Sequence, residues 1–126
     1  MKLFIADDSE VMRERIRELL LAIEGVELSG EAGDVQTSIK GILDLKPDVV
    51  ILDIRMPGGS GLEVIQRLKE HPKTPLIIVL TNYPFPEYKE IAIKLGADYF
   101  FDKATEFDEV QTVLEGILKD KETAKA

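Results

Sequence analysis

The sequence predicts an α/β domain: a doubly wound parallel sheet in which five strands alternate with five helices. Three observations carry this expectation. The runs Val49-Val50-Ile51-Leu52 and Leu76-Ile77-Ile78-Val79-Leu80 are continuously apolar, as strands buried on both faces are. Segments with apolar residues at helical spacing follow the strands in turn. Turn formers (Gly25, Pro47, Gly58-Gly59, Pro72, Pro75, Pro84, Gly96) separate the segments. Such alternation implies right-handed crossovers that place helices on both faces of the sheet.

Leu3-Phe4-Ile5-Ala6 is the first strand. Ser9 caps a helix whose Met12, Ile16, Leu19, Leu20 and Ile23 share one face, and Gly25 stops it. Val26, Leu28 and Gly30 alternate with Glu27, Ser29 and Glu31, the pattern of a strand wetted on one side and near a sheet edge. Asp34 caps the second helix, with Val35, Ile39, Ile42 and Leu43 inward and Pro47 ending the segment. After the third strand, residues 56–61 read as a loop, and Ser60 with Glu63 fits a capping box for a helix through Leu62, Ile65 and Leu68. The fourth strand ends at Thr81. Tyr88, Ile91, Ala92 and Leu95 mark the next helix, closed by Gly96. Tyr99-Phe100-Phe101 is a short aromatic strand. Thr105 is placed to cap a last helix with Phe107, Val110, Val113, Leu114, Ile117 and Leu118 on its inner face. The expected domain covers residues 1–119, with a polar tail over 120–126 that frays.

With 126 residues the chain is about one domain with a substantial core. Its net charge of −8 fits a soluble protein and argues against direct binding of nucleic acid. There is no cysteine, hence no disulfide framework and no thiolate metal site. The N-terminus enters a strand at once, with no room for a signal peptide, and no apolar run approaches membrane-spanning length.

The polar residues at the strand ends hold the chemistry. Asp7 and Asp8 follow the first strand, Asp53 the third; Thr81 ends the fourth, and Lys103 follows the fifth. Singly, each has a plainer reading: an aspartate as a turn former, Thr81 as a cap, Lys103 as a solvated lysine. Together they are expected at the carboxyl edge of the sheet, where open α/β sheets bind ligands. Carboxylates there are costly unless neutralised, and three of them converging suit a hard divalent cation. Three carboxylates, a hydroxyl and an ammonium are the parts of a Mg²⁺-dependent phosphoryl acceptor.

This pattern resembles the receiver domain of two-component response regulators, over nearly the whole chain. The resemblance rests on Asp7-Asp8, Asp53, Met56-Pro57, Gly61, Thr81, Gly96-Ala97, Phe100 and Lys103, in that order. It implies a flavodoxin-like (βα)5 fold with strand order 2-1-3-4-5, and a cytoplasmic signalling switch rather than an enzyme. Asp53 is then the phosphoacceptor. Asp8 is a direct Mg²⁺ ligand, Asp7 acts mainly through water, and Asp53 and the backbone carbonyl of Arg55 complete the protein's share of the metal site. Lys103 and the Thr81 hydroxyl contact phosphoryl oxygens, with the amides of Ile54 and Asn82 as further donors. Thr81 and Phe100 are the switch pair that alters the face of the fourth helix, fifth strand and fifth helix. The implied donor is a sensor histidine kinase or histidine phosphotransfer protein. It docks near the first helix, where Met12, Ile16 and Leu20 are candidates if not fully buried.

The sequence departs from the family in two places. Ala104 follows Lys103 where the family usually has proline, and Asn82 follows Thr81 where a small residue is usual. Arg55 and Tyr83, each two residues beyond a site residue, are expected to flank the phosphoryl pocket and slow the attack of water. His71, the only histidine, reads as a surface residue, and Phe85 and Ile93 as partly exposed near the output face. Three other readings stand beside the stand-alone switch. One is a receiver that is part of a longer DNA-binding transcriptional regulator. Another is a Mg²⁺-dependent phosphatase with an aspartyl nucleophile, which would want a second acid where Arg55 stands. The third is a flavin- or nucleotide-binding domain, which would want a glycine-rich loop where Asp7-Asp8 stand.

Overall fold

In the computed structural model, which describes residues 1–125 and their side chains through Lys121, the strands and helices alternate as the sequence predicts. Strand β1 (Lys2–Ala6) leads to α1 (Glu10–Leu21), β2 (Glu27–Ala32), α2 (Val35–Leu45) and β3 (Val49–Leu52). A two-residue hairpin, β4 (Arg55–Met56) and β5 (Gly59–Ser60), precedes α3 (Gly61–Leu68). Then come β6 (Leu76–Thr81), α4 (Pro86–Leu95), β7 (Tyr99–Asp102) and α5 (Glu109–Lys125). The five long strands pair in parallel in the order β2-β1-β3-β6-β7. Counting the main strands alone, this is 2-1-3-4-5. The chain reverses its direction of progress between β1 and β3, the crevice where α/β sheets bind their ligands.

Alternating strand residues divide the core into two layers. Phe4, Ala6, Val50, Leu52, Ile77, Val79 and Phe100 belong to the layer that includes buried residues of α2, α3 and α4. Leu3, Ile5, Val49, Ile51, Ile78 and Leu80 belong to the layer that includes those of α1 and α5. Both faces of β1, β3 and β6 are covered, which is why their sequences lack the polar alternation of a wetted strand. β2 is an edge, as its alternation predicts. Its register slips between Leu3 and Phe4, leaving Ser29 unmatched, and the Ser29 hydroxyl donates to the Leu3 carbonyl at 3.1 Å. A bulge flanked by Glu27 and Glu31 makes a poor template for a further strand.

Ser9, Asp34 and Ser60 cap their helices, accepting from the amides of Met12, Thr37 and Leu62. Several local expectations change. α1 ends at Leu21, before Gly25, which sits at φ +96° in the following turn. Pro57-Gly58, with Gly58 at φ +88°, turns the chain tightly enough to pair Met56 with Gly59, so the expected loop is a hairpin. Thr105 does not cap α5, because its hydroxyl donates to Asp102 Oδ2 at 3.2 Å and the helix starts four residues later, at Glu109. Phe107 therefore precedes α5, where it lies beneath the Arg15 guanidinium. Ile91 is 45% exposed, leaving Ala92 as the buried residue of α4. No helix among the described residues is long and apolar enough to cross a membrane.

Candidate functional site

The register of β1 against β3 pairs Ala6 with Leu52, so Asp7 and Asp53 leave the sheet side by side. The Asp53 amide donates to the Ala6 carbonyl at 2.9 Å, extending the ladder one residue past the strands. Asp8 is exposed at the rim, and one oxygen from each of Asp7, Asp8 and Asp53 lies within 4.8 Å of the others. Lys103 arrives from β7, two strands beyond β3, a separation of roughly 10 Å that a long side chain is needed to cross. Its amide donates to the Thr81 carbonyl at 2.9 Å, anchoring its backbone beside β6. Its Nζ then lies 2.7 Å from Asp7 Oδ2 and 2.8 Å from Asp53 Oδ2.

Asp7, Asp53, Thr81 and Lys103 are all nearly inaccessible, at 2%, 4%, 0% and 5% exposure. Burial raises the Asp7 pKa above the ordinary aspartate value, against the opposing pull of the Lys103 hydrogen bond and the Ser9 amide. Burial works against the Lys103 ammonium too, but its hydrogen bonds to Asp53 and Asp7 prevail and hold its pKa above that of an ordinary lysine. Asp53 Oδ1 accepts from the Ile54 amide at 2.7 Å. The Thr81 hydroxyl accepts from the Tyr83 amide at 3.1 Å and remains free to donate. The carboxylate of Asp8 makes no hydrogen bond or ion pair with any described residue.

Three ionised carboxylates against one ammonium leave two negative charges, the balance a divalent cation restores, and oxygen donors of this kind suit Mg²⁺. Beside Asp8 opens a cleft of about 550 Å³, lined by Ile54, Arg55, Pro57 and, from α4, Tyr88. Arg55 turns its guanidinium over the Tyr83 ring, 4.6 Å from the centroid, so the two residues expected to flank the pocket also touch each other.

The structure thus brings Asp7, Asp8, Asp53 and Lys103 into one cluster, with Thr81 on the neighbouring strand. Phe100 is buried in the core layer that also holds Ala92 and Ala97. Met12, Ile16 and Leu20 are buried as well, which removes them as docking residues: spaced for the inner face of α1, they pack on the sheet. The exposed apolar residues of α1 are Val11 and Leu21.

Two supports of the site carry no distinctive sequence signal. Arg13 Nη1 donates to the carbonyl of Asp7 at 2.6 Å. Asp102 accepts from the Ala104 amide at 2.9 Å and from Thr105, forming the turn from which Lys103 projects. That amide is one a proline would lack.

The family model of the response regulator receiver domain matches residues 3–115. The transcriptional regulatory protein YvfU of Bacillus subtilis is 34% identical over 120 residues, covering 95% of this chain and 60% of YvfU. The response regulator GacA of Pseudomonas syringae is 38% identical over 88 residues, covering 68% of this chain and 41% of GacA. This chain therefore spans less than two thirds of the length of these relatives. Among solved structures, the isolated receiver (REC) domain of RcsB from Salmonella enterica serovar Typhimurium superposes with a TM-score of 0.86 at 30% identity, covering 94% of this chain and 88% of that one. With the strand order, the acidic crevice and these likenesses in agreement, the chain belongs to the response regulator receiver domain family.

Proposed function

We propose that this domain accepts a phosphoryl group on Asp53 from a histidine kinase or histidine phosphotransfer protein and thereby switches its output face. The observation that carries this reading is the buried cluster in which Lys103 bridges Asp7 and Asp53 while the carboxylate of Asp8 stays unpaired beside them. A carboxylate oxygen of Asp53 attacks phosphorus, the P–N bond of the phosphohistidine breaks, and the imidazole leaves, taking its proton from solvent. Asp53 becomes an acyl phosphate. Asp8, Asp53 and the Arg55 carbonyl would hold Mg²⁺, with Asp7 acting mainly through a bound water; when bound, the ion offsets the charge of carboxylate and phosphate alike.

Lys103 passes from sharing two carboxylates to pairing with a phosphoryl oxygen. The Thr81 hydroxyl turns its proton to a second oxygen, and the amides of Ile54 and Asn82 supply further donors. Phosphorylation adds close to two negative charges. Thr81 is drawn toward them and Phe100 repacks behind it. α4 buries a single residue fully, so it can be repositioned at little cost. The RcsB domain in the comparison was solved with the phosphomimetic BeF3⁻, which supports reading the same site here.

Incubation with acetyl phosphate and Mg²⁺, followed by intact mass, tests the proposal. One phosphate adduct is expected, absent without Mg²⁺ and absent in Asp53→Asn. An adduct that persists in Asp53→Asn would overturn the assignment.

One observation favours a second, compatible reading. Because the chain covers 60% of YvfU, a transcriptional regulatory protein, the receiver fits as one module of a longer cytoplasmic DNA-binding regulator. In that case a separate output domain touches the DNA, since this module carries a net charge of −8. The length of the native open reading frame decides between the two. A phosphatase is disfavoured: the position two residues after Asp53 carries Arg55, stacked on Tyr83, in place of an acid. We read the domain as a switch rather than an enzyme.

A further inference from the structure

Arg13 lies outside the cluster of acids, yet its guanidinium is held on two sides beside it. Nη1 donates to the backbone carbonyl of Asp7 at 2.6 Å, and Nε pairs with Glu31 at 3.1 Å. Glu31 is in turn held by Arg17 at 2.5 Å. The carbonyl that Arg13 grips belongs to the peptide joining Asp7 to Asp8. The orientation of that peptide sets where the Asp8 side chain leaves the main chain. The Asp8 side chain has no hydrogen bond or ion pair among the described residues, so its position depends on its backbone.

Gly33 leaves the room this requires. A Cβ there would lie 3.2 Å from Arg13 Nη1 and 3.7 Å from both the Asp7 carbonyl oxygen and the Asp8 Cα. The guanidinium thus passes between the loop after β1 and the loop after β2. Its pairing with Glu31 keeps it on the main-chain side, and among the described residues no ion pair joins it to Asp8.

We propose that Arg13 is a positioning residue for the cation site: it holds the Asp7–Asp8 peptide so that the Asp8 carboxylate is preset for Mg²⁺. This rests on the reading of Asp7, Asp8 and Asp53 as that site. Two simpler roles make different forecasts. If Arg13 acted only through its charge, removing it would make the site more negative and tighten Mg²⁺ binding. If it only tied α1 to β2 through Glu31, removing Arg17 would have the same effect as removing Arg13. Positioning through the Asp7 carbonyl forecasts weaker binding for Arg13 variants alone.

The test is a Mg²⁺ titration of the purified, unphosphorylated chain by NMR, following backbone amides, for wild type, Arg13→Ala, Arg13→Lys and Arg17→Ala. Arg13→Ala is expected to weaken Mg²⁺ binding about tenfold, the lower end of what removal of an outer-shell support costs. Arg13→Lys keeps the charge but not the two-pronged geometry, and is expected to weaken binding as well. It also decides the matter if Arg13→Ala does not fold. Arg17→Ala is expected to bind as wild type. Unchanged or tighter binding in both Arg13 variants would overturn the proposal and leave the site assignment standing, as would equal weakening in Arg17→Ala. A wild type that binds no Mg²⁺ would overturn the site assignment itself, and the proposal with it.

Discussion

Asp7 sits where its surroundings oppose its own charge. Burial raises its pKa, and the ammonium of Lys103, shared with Asp53, only partly answers. An acid that holds its proton more tightly folded than unfolded contributes stability below its unfolded pKa and loses it as pH rises through the folded value. Without divalent cations, Asp7→Asn should therefore gain in thermal midpoint on wild type as pH rises from about 4 toward neutrality. A difference independent of pH would refute this. At the mouth of the site, an exposed stack such as Arg55 on Tyr83 is worth about 0.5–1 kcal/mol. If it screens the acyl phosphate from water, the Arg55→Ala, Tyr83→Ala double variant should lose phosphate roughly two- to fivefold faster. Following decay of the phosphorylated form measures this, and a slower variant would sink the idea.

At the scale of elements, the start of α3 is pressed against Asp53. The Gly61 amide donates to the Ile54 carbonyl, and a Cβ on Gly61 would fall 2.0 Å from the Asp53 carbonyl oxygen. No rotamer relieves a clash with backbone. Gly61→Ala should cost about 1–3 kcal/mol of stability and displace Asp53, slowing phosphorylation by acetyl phosphate. Denaturant unfolding and the rate of adduct formation check the two parts. On the far side of the crevice, the turn after β7 uses the Asp102 carboxylate to hold Ala104 and Thr105. Thr105 is thereby drawn out of the capping role its sequence position suggests. A hydroxyl before a helical stretch can serve the helix or the turn, and a nearby carboxylate decides which.

For the whole molecule, the acids after β1 and β3 are a stability cost that a bound cation should repay. A Mg²⁺ ion held where the three carboxylates converge would bind the folded chain alone, since the unfolded one offers no such site. At a hundredfold excess over its dissociation constant it should add about 2.7 kcal/mol, seen as a higher thermal midpoint. The gain should be absent in a variant carrying both Asp7→Asn and Asp8→Asn. No gain in wild type would remove the cation from the account of this site. Stability is also unevenly spread. β1, β3 and β6 are buried on both faces, whereas α4 buries Ala92 and leaves Phe85, Ile91 and Ile93 exposed. The α4 side is thus the less firmly packed one, and it is the side that the proposed switch would move.

The sequence by itself determined the alternation of strands and helices and the two-layer core. It also placed Asp7, Asp8, Asp53, Thr81 and Lys103 at strand ends, because apolar runs and helical spacing are local and the polar residues interrupt them at fixed points. Tertiary structure decided what local pattern cannot carry. It turned Ile91 outward and stacked Arg55 on Tyr83. It brought Arg13 to a carbonyl six residues away in sequence and Lys103 to a carboxylate fifty away. An arginine inside a charged helix and a lysine after a strand look like solvated side chains until the sheet order fixes what stands opposite them. Contacts across strands depend on register and crossover, which neither composition nor periodicity records.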